Sequence, residues 1–222
     1  MTIHLTPIGT GQLYATVAQL KSMLGVTSAT DDVRMGEVLA AICRQIDRRC
    51  GRFFYQTVAG QVNYYTPDFE DALDIDDVVT VTEIAQDISL DHTYSRVWVA
   101  TDYDLEPYNA PYEPEPEPYT SIHIRQTAGN VFFANQPRSI RITGTWGWPA
   151  VPDVVREATL LQAARLFKRR EVLFGVVNWG IGSVVKIQQS SLDPDILELI
   201  PPALYKTAPR ATVSWNLMDR KY

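Results

Sequence analysis

Between Gly144 and Arg170 the chain passes from Gly-Thr-Trp-Gly-Trp-Pro-Ala-Val-Pro into a helical stretch and closes on Lys168-Arg169-Arg170. The apolar positions of that stretch, Val154, Val155, Ala158, Leu160, Leu161, Ala163, Ala164, Leu166 and Phe167, leave little of its circumference polar. Such a helix cannot face water on most sides, so it sits at the centre of a bundle or shares its burial with another subunit. Pro152 suits the first turn, where its missing N–H costs nothing.

Two further helices are expected at the N-terminal end. Thr16 is a plausible N-cap for Val17 to Leu24, closed by Gly25, and Asp31 or Asp32 caps a longer helix that runs to Cys50 and stops at Gly51. On the longer helix Met35, Val38, Leu39, Ile42 and Ile46 form one stripe, while Arg34, Glu37, Arg44, Gln45 and Arg48 fall mostly elsewhere. Arg48, Arg49 and Arg52 gather at its carboxyl end, where they complement the helix dipole. Cys43 and Cys50 lie seven apart on it, a rise of roughly 10 Å against a disulfide limit of ~7 Å, so both read as buried apolar thiols.

From Val58 the period changes to two. Val62-Asn-Tyr-Tyr-Thr, Val78-Val-Thr-Val-Thr-Glu-Ile, Arg96-Val-Trp-Val, Ser121-Ile-His-Ile-Arg and Ser139-Ile-Arg-Ile-Thr read as short strands of an antiparallel sheet or small sandwich. Helical signals resume after Pro149. A glycine-rich stretch, Gly175 to Gly182, precedes a possible strand at Val184 to Ile187, and a short helix follows from Asp193-Pro194 to Ile200, halted by Pro201-Pro202. The expected fold is α+β, a small α-helical bundle interrupted by an inserted antiparallel β module, with an extended C-terminal tail. The expected divisions are 1–56 and 146–202 for the helical domain, 57–145 for the β module and 203–222 for the tail. In the tail, Ala211-Thr-Val-Ser-Trp-Asn-Leu alternates like a strand but has no evident partner in the sequence.

No segment approaches the ~20 apolar residues of a membrane span, and Met1 to Tyr14 lacks the basic start and apolar run of a secretory signal. A cytosolic origin is expected. Charge is uneven: Thr57 to Thr145 holds 15 acidic and 4 basic residues, a balance of −11, whereas the rest of the 222-residue chain is mildly basic and the whole is −6. Twelve of the acids form two clusters, Asp68, Glu70, Asp71, Asp74, Asp76, Asp77 and Asp102, Asp104, Glu106, Glu113, Glu115, Glu117. The first reads as a turn, and Glu113-Pro-Glu-Pro-Glu-Pro as a solvated polyproline-like loop.

Catalytic patterns are not found. The first acid cluster lacks the register and central glycine of a calcium loop. Acids crowded on a turn are more often a solvated face than a glycosidase pair. His4, His92 and His123 are scattered, and no serine or cysteine stands in a nucleophile motif. Gly175, Gly180 and Gly182 precede a strand rather than the helix N-terminus that a phosphate loop needs. Lys168, Arg169 and Arg170 are better explained by helix C-terminal charge than by contact with a nucleic-acid backbone.

The order of the motifs is more specific than any one of them. Tyr14-x-Thr16 and Leu20-Lys21-x-x-Leu24 come first, then Asp31-Asp32 opening a helix that ends Cys50-Gly51-Arg52-x-Phe54. Gly144-x-x-Gly147-Trp148-x-x-Val151-Pro152-x-x-Val155-x-x-Ala158 follows, then Arg169-Arg170, Gly175 and Asp193-Pro194-Asp195. This arrangement, over somewhat more than half the chain, resembles the head-tail connector (adaptor) proteins of long-tailed bacteriophages and gene transfer agents.

The resemblance implies a non-enzymatic structural protein of the virion neck, assembled in the host cytoplasm, with no cofactor, metal or membrane contact. Its expected partners are further copies of itself in a ring of 12, the portal protein above, and a stopper or tail-terminator protein below. Genome DNA passes through the centre without sequence-specific binding. Subunit contacts are expected at Leu160, Leu161, Leu166, Phe167, Arg169 and Arg170, and portal contacts in the tail at Lys206, Arg210, Trp215 and Leu217. Many relatives carry little or no β insertion, so the resemblance gives Thr57 to Thr145 no role. Two other readings attach to that insertion: a carbohydrate- or surface-binding module of a virion tail stacking sugars on Tyr103, Tyr108, Tyr112 and Tyr119, and a hydrolase using Asp74, Asp76 and Asp77.

Overall fold

The computed structural model describes residues 13–125, 129–169 and 192–206, together with the backbone of 176–178 and 184–186. Helix α1 (Val17–Leu24) begins with a reciprocal cap. The Gln19 N–H donates to Thr16 Oγ1 at 3.2 Å, the Thr16 N–H donates to Gln19 Oε1 at 2.8 Å, and Gly25 ends the helix at φ +68°. Helix α2 (Asp32–Cys50) buries Met35, Leu39, Ile42, Cys43, Ile46 and Cys50 along one side, with both cysteines as free thiols.

Helix α3 (Asp153–Arg169) packs on α1, α2 and α4 (Pro194–Leu199). Pro152 lies just before it rather than inside it, and its carbonyl accepts the Val155 and Arg156 N–H groups. The apolar rod of the sequence is covered chiefly by its own chain. Val155, Ala158, Leu160, Ala163 and Phe167 are buried in a core shared with Leu20, Met35, Leu39, Ile42, Ile46 and Ile196. Bundle burial, the first of the two expected alternatives, therefore accounts for most of the helix.

The β module is one antiparallel sheet of six strands: β1 (Gln61–Tyr65), β2 (Ala72–Gln86), β3 (Arg96–Trp98), β4 (Tyr103–Glu106), β5 (Tyr119–Ile124) and β6 (Ile140–Trp146). Their order is β1-β6-β2-β5-β4, with β3 added to β2 beyond the end of β5. Strand β2 is 15 residues long and begins inside the first acid cluster, so Asp74, Asp76 and Asp77 lie on a strand and not on a turn. Its register shifts between Asp74 and Val78. The inward positions change there from Leu73 and Ile75 to Val78 and Ile84, the expected effect of an irregularity on a period of two. Strand β4 lies in the second acid cluster, and Val176–Asn178 pairs with Val184–Lys186 in a separate two-stranded sheet (β7, β8); neither β4 nor β7 was expected.

Adjacent residues divide between the two cores. Phe54 belongs to the helical core while Phe53 packs on the sheet core, and Trp148 belongs to the first while Trp146 belongs to the second. The two crossing segments run side by side: the Thr57 N–H donates to Trp146 O at 2.9 Å and the Trp148 N–H to Tyr55 O at 3.3 Å. Gly147 stands between the two tryptophans at φ +100°, and a Cβ there would fall 1.8 Å from Tyr55 O. Gly147→Ala is expected to destabilise the protein by at least about 3 kcal/mol, read as a lowered midpoint in urea denaturation; a midpoint near wild type would mean that the crossing backbone can move aside.

Candidate assembly site

The elements that cross between the cores also gather the most tightly held polar groups. Asp77 projects from β2 and is buried, and Trp148 Nε1–H donates to its Oδ2 at 3.2 Å. Arg52, just past the end of α2, brings Nε to 3.5 Å from the same oxygen and lays its guanidinium 5.6 Å from the Trp148 ring centroid. Loss of water around Asp77 raises its carboxyl above the ordinary range, while Arg52 and Lys206 pull it down.

The neighbouring Asp76 is exposed and accepts from the Tyr65 hydroxyl at 3.1 Å and from Lys206 Nζ. Lys206 also donates its backbone N–H to Cys50 O at 2.7 Å, giving a carbonyl at the end of α2 a partner. Tyr205 lies under the Arg49 guanidinium, 5.4 Å from ring centroid to Cζ. Residues 202–206 are thus fastened across the carboxyl end of α2 and onto β2.

A second group fastens α4 to α3. Arg165 pairs with Asp193 at 3.2 Å and with Asp195, Arg169 reaches Asp193 at 2.9 Å, and Gln162 Oε1 accepts the Asp193 N–H at 3.3 Å. These pairs are partly exposed, so they orient α4 more than they stabilise it.

These placements sort the expected contact residues. Leu160 and Phe167 are each 7% exposed, so their burial needs no second subunit; Leu161 is half-buried, and Leu166, at 38%, is the exposed member of the four. Arg169 is engaged with Asp193. Lys206, expected at the portal, is already bound to Asp76 and Cys50. Arg170, Arg210, Trp215 and Leu217 lie outside the described residues, as does His4.

The other expectations for the insertion separate as well. Tyr108 and Tyr112 are exposed, whereas Tyr103 and Tyr119 are half-buried against the sheet core. Asp74 and Asp76 are exposed, whereas Asp77 is buried under Trp148 and Arg52. His92 and His123 are exposed, and among the described residues no three His, Cys, Asp or Glu side chains gather at metal-binding spacing. The junction of Asp76 and Asp77 with Lys206 and Trp148 was not foreseen, because Trp148 lies 71 residues from Asp77 and Lys206 lies 130 from Asp76, and no local pattern links them.

A further buried polar group lies inside the helical core. The Tyr14 hydroxyl donates to Asp47 and accepts the Phe54 N–H at 2.8 Å, while Arg44 reaches Asp47 at 2.9 Å. Burial raises the Asp47 carboxyl from 3.8 to about 6, against the opposing pull of Tyr14 and Arg44. Because the folded value exceeds the unfolded one, the stability linked to this proton is complete below about pH 4 and is lost as pH rises through about 6. Asp47→Asn keeps an acceptor for Tyr14 and removes the titration. The fall in unfolding free energy between about pH 4 and pH 7 should be smaller in the variant by roughly 1–3 kcal/mol, measured by urea denaturation at each pH; equal slopes would assign the pH dependence elsewhere.

No protein-family model matches this chain, and no curated protein matches it. Among solved structures, a chain of the neck of an empty gene transfer agent (GTA) particle, computed with C6 symmetry, aligns with 93% of this chain and 96% of its own length, at TM-score 0.54 and 17% identity. A chain of the virion of the native gene transfer agent particle aligns over 80% of this chain and 87% of its own, at TM-score 0.45 and 19% identity. The class is therefore one of fold: an α+β chain with a helical bundle and an antiparallel sheet, similar over 93% of its length to a chain of a GTA neck.

Proposed function

We propose that this chain is a structural neck protein of a phage or gene transfer agent particle, a head-tail adaptor that forms a ring under the portal. In this reading it joins the portal to a stopper or tail-terminator protein below and surrounds the channel through which DNA passes. The observation that supports it is the alignment of both the helical part and the sheet with one chain of a GTA neck, over 93% of this chain. A ring of 12 copies contains the sixfold axis applied to that neck particle, and heterologous contacts around a closed ring give every subunit the same two faces.

The surface offered for subunit contact includes the exposed Leu166 of α3, and Leu161 and Arg170 are assigned to subunit contact on the sequence alone. The tail carrying Arg210, Trp215 and Leu217 is assigned to the portal, where an extended segment can add a strand or insert an aromatic side chain. Repeated around a ring, a module of −11 charge creates a negative field; if it borders the channel, that field keeps DNA from adhering to the wall.

Class averages and particle masses of the purified protein with and without its cognate portal test this. Rings coaxial with the portal are expected, and a 25.0 kDa species that ignores the portal would overturn the reading. Leu166→Asp separates assembly from folding: the exposed side chain contributes little to the monomer, so ring yield should fall at least about tenfold, equivalent to about 1.4 kcal/mol per contact, with the thermal midpoint nearly unchanged. A matching loss of both would show that Leu166 serves the fold.

A further inference from the structure

Strand β2 ends at Gln86, between Arg96 of β3 and Ile140 of β6, so its carboxyl end carries the loop to β3 and lies against the loop that enters β6. These two loops hold all five non-glycine residues with positive φ among the described residues: Leu90, His92, Tyr94, Asn135 and Arg138. Bonds within and between the loops keep them so. The buried Asp87 carboxylate accepts the Asp91 and His92 N–H groups at 3.3 and 2.6 Å, the Asp87 N–H donates to Ser139 O at 2.8 Å, and the Tyr94 hydroxyl donates to Arg138 O at 2.7 Å. Side chains displayed from a backbone held in this way meet a partner at little further entropy cost.

What this end displays is apolar and cationic. Ile88 and Leu90 of the first loop, Val97 of β3, and Val131, whose carbonyl accepts the Gln86 amide N–H at 3.0 Å, are between 41% and 56% exposed. Arg96 and Arg138 are exposed, and neither has an acid partner among the described residues. The acids nearby are engaged: Asp87 as above, Asp91 with the Thr93 hydroxyl at 2.7 Å and Glu83 with Arg141 at 2.6 Å. Two free guanidiniums beside aliphatic side chains fit an acidic segment that carries aromatic residues.

The same module carries such a segment. Between β4 and β5, Tyr108 and Tyr112 are 63% and 82% exposed, and Glu113, Glu115 and Glu117 are exposed with no ion pair among the described residues. The loop is ordered by its own bonds, with the Tyr112 N–H donating to Asn109 O at 2.8 Å and the Glu117 N–H to Ala110 O at 3.0 Å. Within one chain it lies toward Arg125, which Asp104 already holds.

We propose that the carboxyl end of β2 receives the β4–β5 loop of a second copy of this chain, with Tyr108 and Tyr112 on the aliphatic side chains and the glutamates on Arg96 and Arg138. A contact between two different surfaces is the kind that repeats around a closed ring. The proposal therefore rests on the ring reading and gives the acidic insertion a place in it.

Charge reversal in the full-length chain tests it. One variant carries Arg96→Glu and Arg138→Glu, the other Glu113→Lys, Glu115→Lys and Glu117→Lys. All five side chains are exposed, so each variant should keep the wild-type thermal midpoint while its ring yield with portal, read by particle mass, falls at least about tenfold. An equal mixture should recover rings, because the reversed end of one variant then meets the reversed loop of the other and the two unaltered surfaces meet at alternate contacts. Tyr112→Ser changes no charge and should also lower the yield. Wild-type yield in either reversed variant or in Tyr112→Ser, or no recovery in the mixture, overturns this inference and leaves the neck reading standing. A wild-type chain that stays at 25.0 kDa with and without portal overturns both.

Discussion

Two strands of chain cross between the cores, and the fold depends on their crossing at Gly147. Trp146 seals the sheet core and Trp148 the helical core, so the residue between them must turn sharply while its backbone passes against Tyr55. Only glycine satisfies both demands, since φ +100° is unfavourable for any side chain and no space exists for one. The Gly147 N–H donates to Asp77 O at 2.7 Å while the Trp148 indole holds the Asp77 carboxylate, so backbone and side chain of one β2 residue hold the crossing. A buried charge is tolerated here because Arg52 and the indole face it. Removing Arg52 would leave the buried carboxylate facing the indole N–H without its guanidinium, which costs more than the ion pair itself contributes.

The elements that were legible in the sequence are those whose signals are local. Thr16, Gly25 and Gly51 mark the ends of α1 and α2 through signals spanning a few residues, and the structure places both helices where those signals put them. The start of β2 was not legible, because its alternation changes phase at the register shift after Asp74, and a reader of periods sees only the half that begins at Val78. Strand β4 was hidden by its acids: Asp104 is accommodated through Arg125, 21 residues away, which no window on β4 contains.

The candidate site divides in the same way. Lys206 looks like a free cation of a docking tail until Asp76, 130 residues earlier, is brought against it. Arg169 likewise looks available until α4 returns Asp193 to it. Long-range pairing converts apparent surface charge into internal fastening, and composition cannot reveal that. Leu166 remained exposed because α1, α2 and α4 cover α3 from other directions.

The completeness of the helical core bears on how such a chain would assemble. Leu160, Phe167 and the α2 stripe are already buried within one polypeptide, so a folded subunit does not need its neighbours in order to exist, unlike obligate dimers whose cores are divided between chains. In the proposed ring, contacts would be made by surfaces that are stable in water, among them Leu166, one of several large apolar side chains exposed among the described residues. Interfaces of that kind gain their strength from repetition around a closed cycle more than from the area of any one contact. The physical demand on the subunit is accordingly rigidity, and the paired crossing at Gly147 supplies it by fixing the acidic sheet to the helical bundle through both backbone and side-chain bonds.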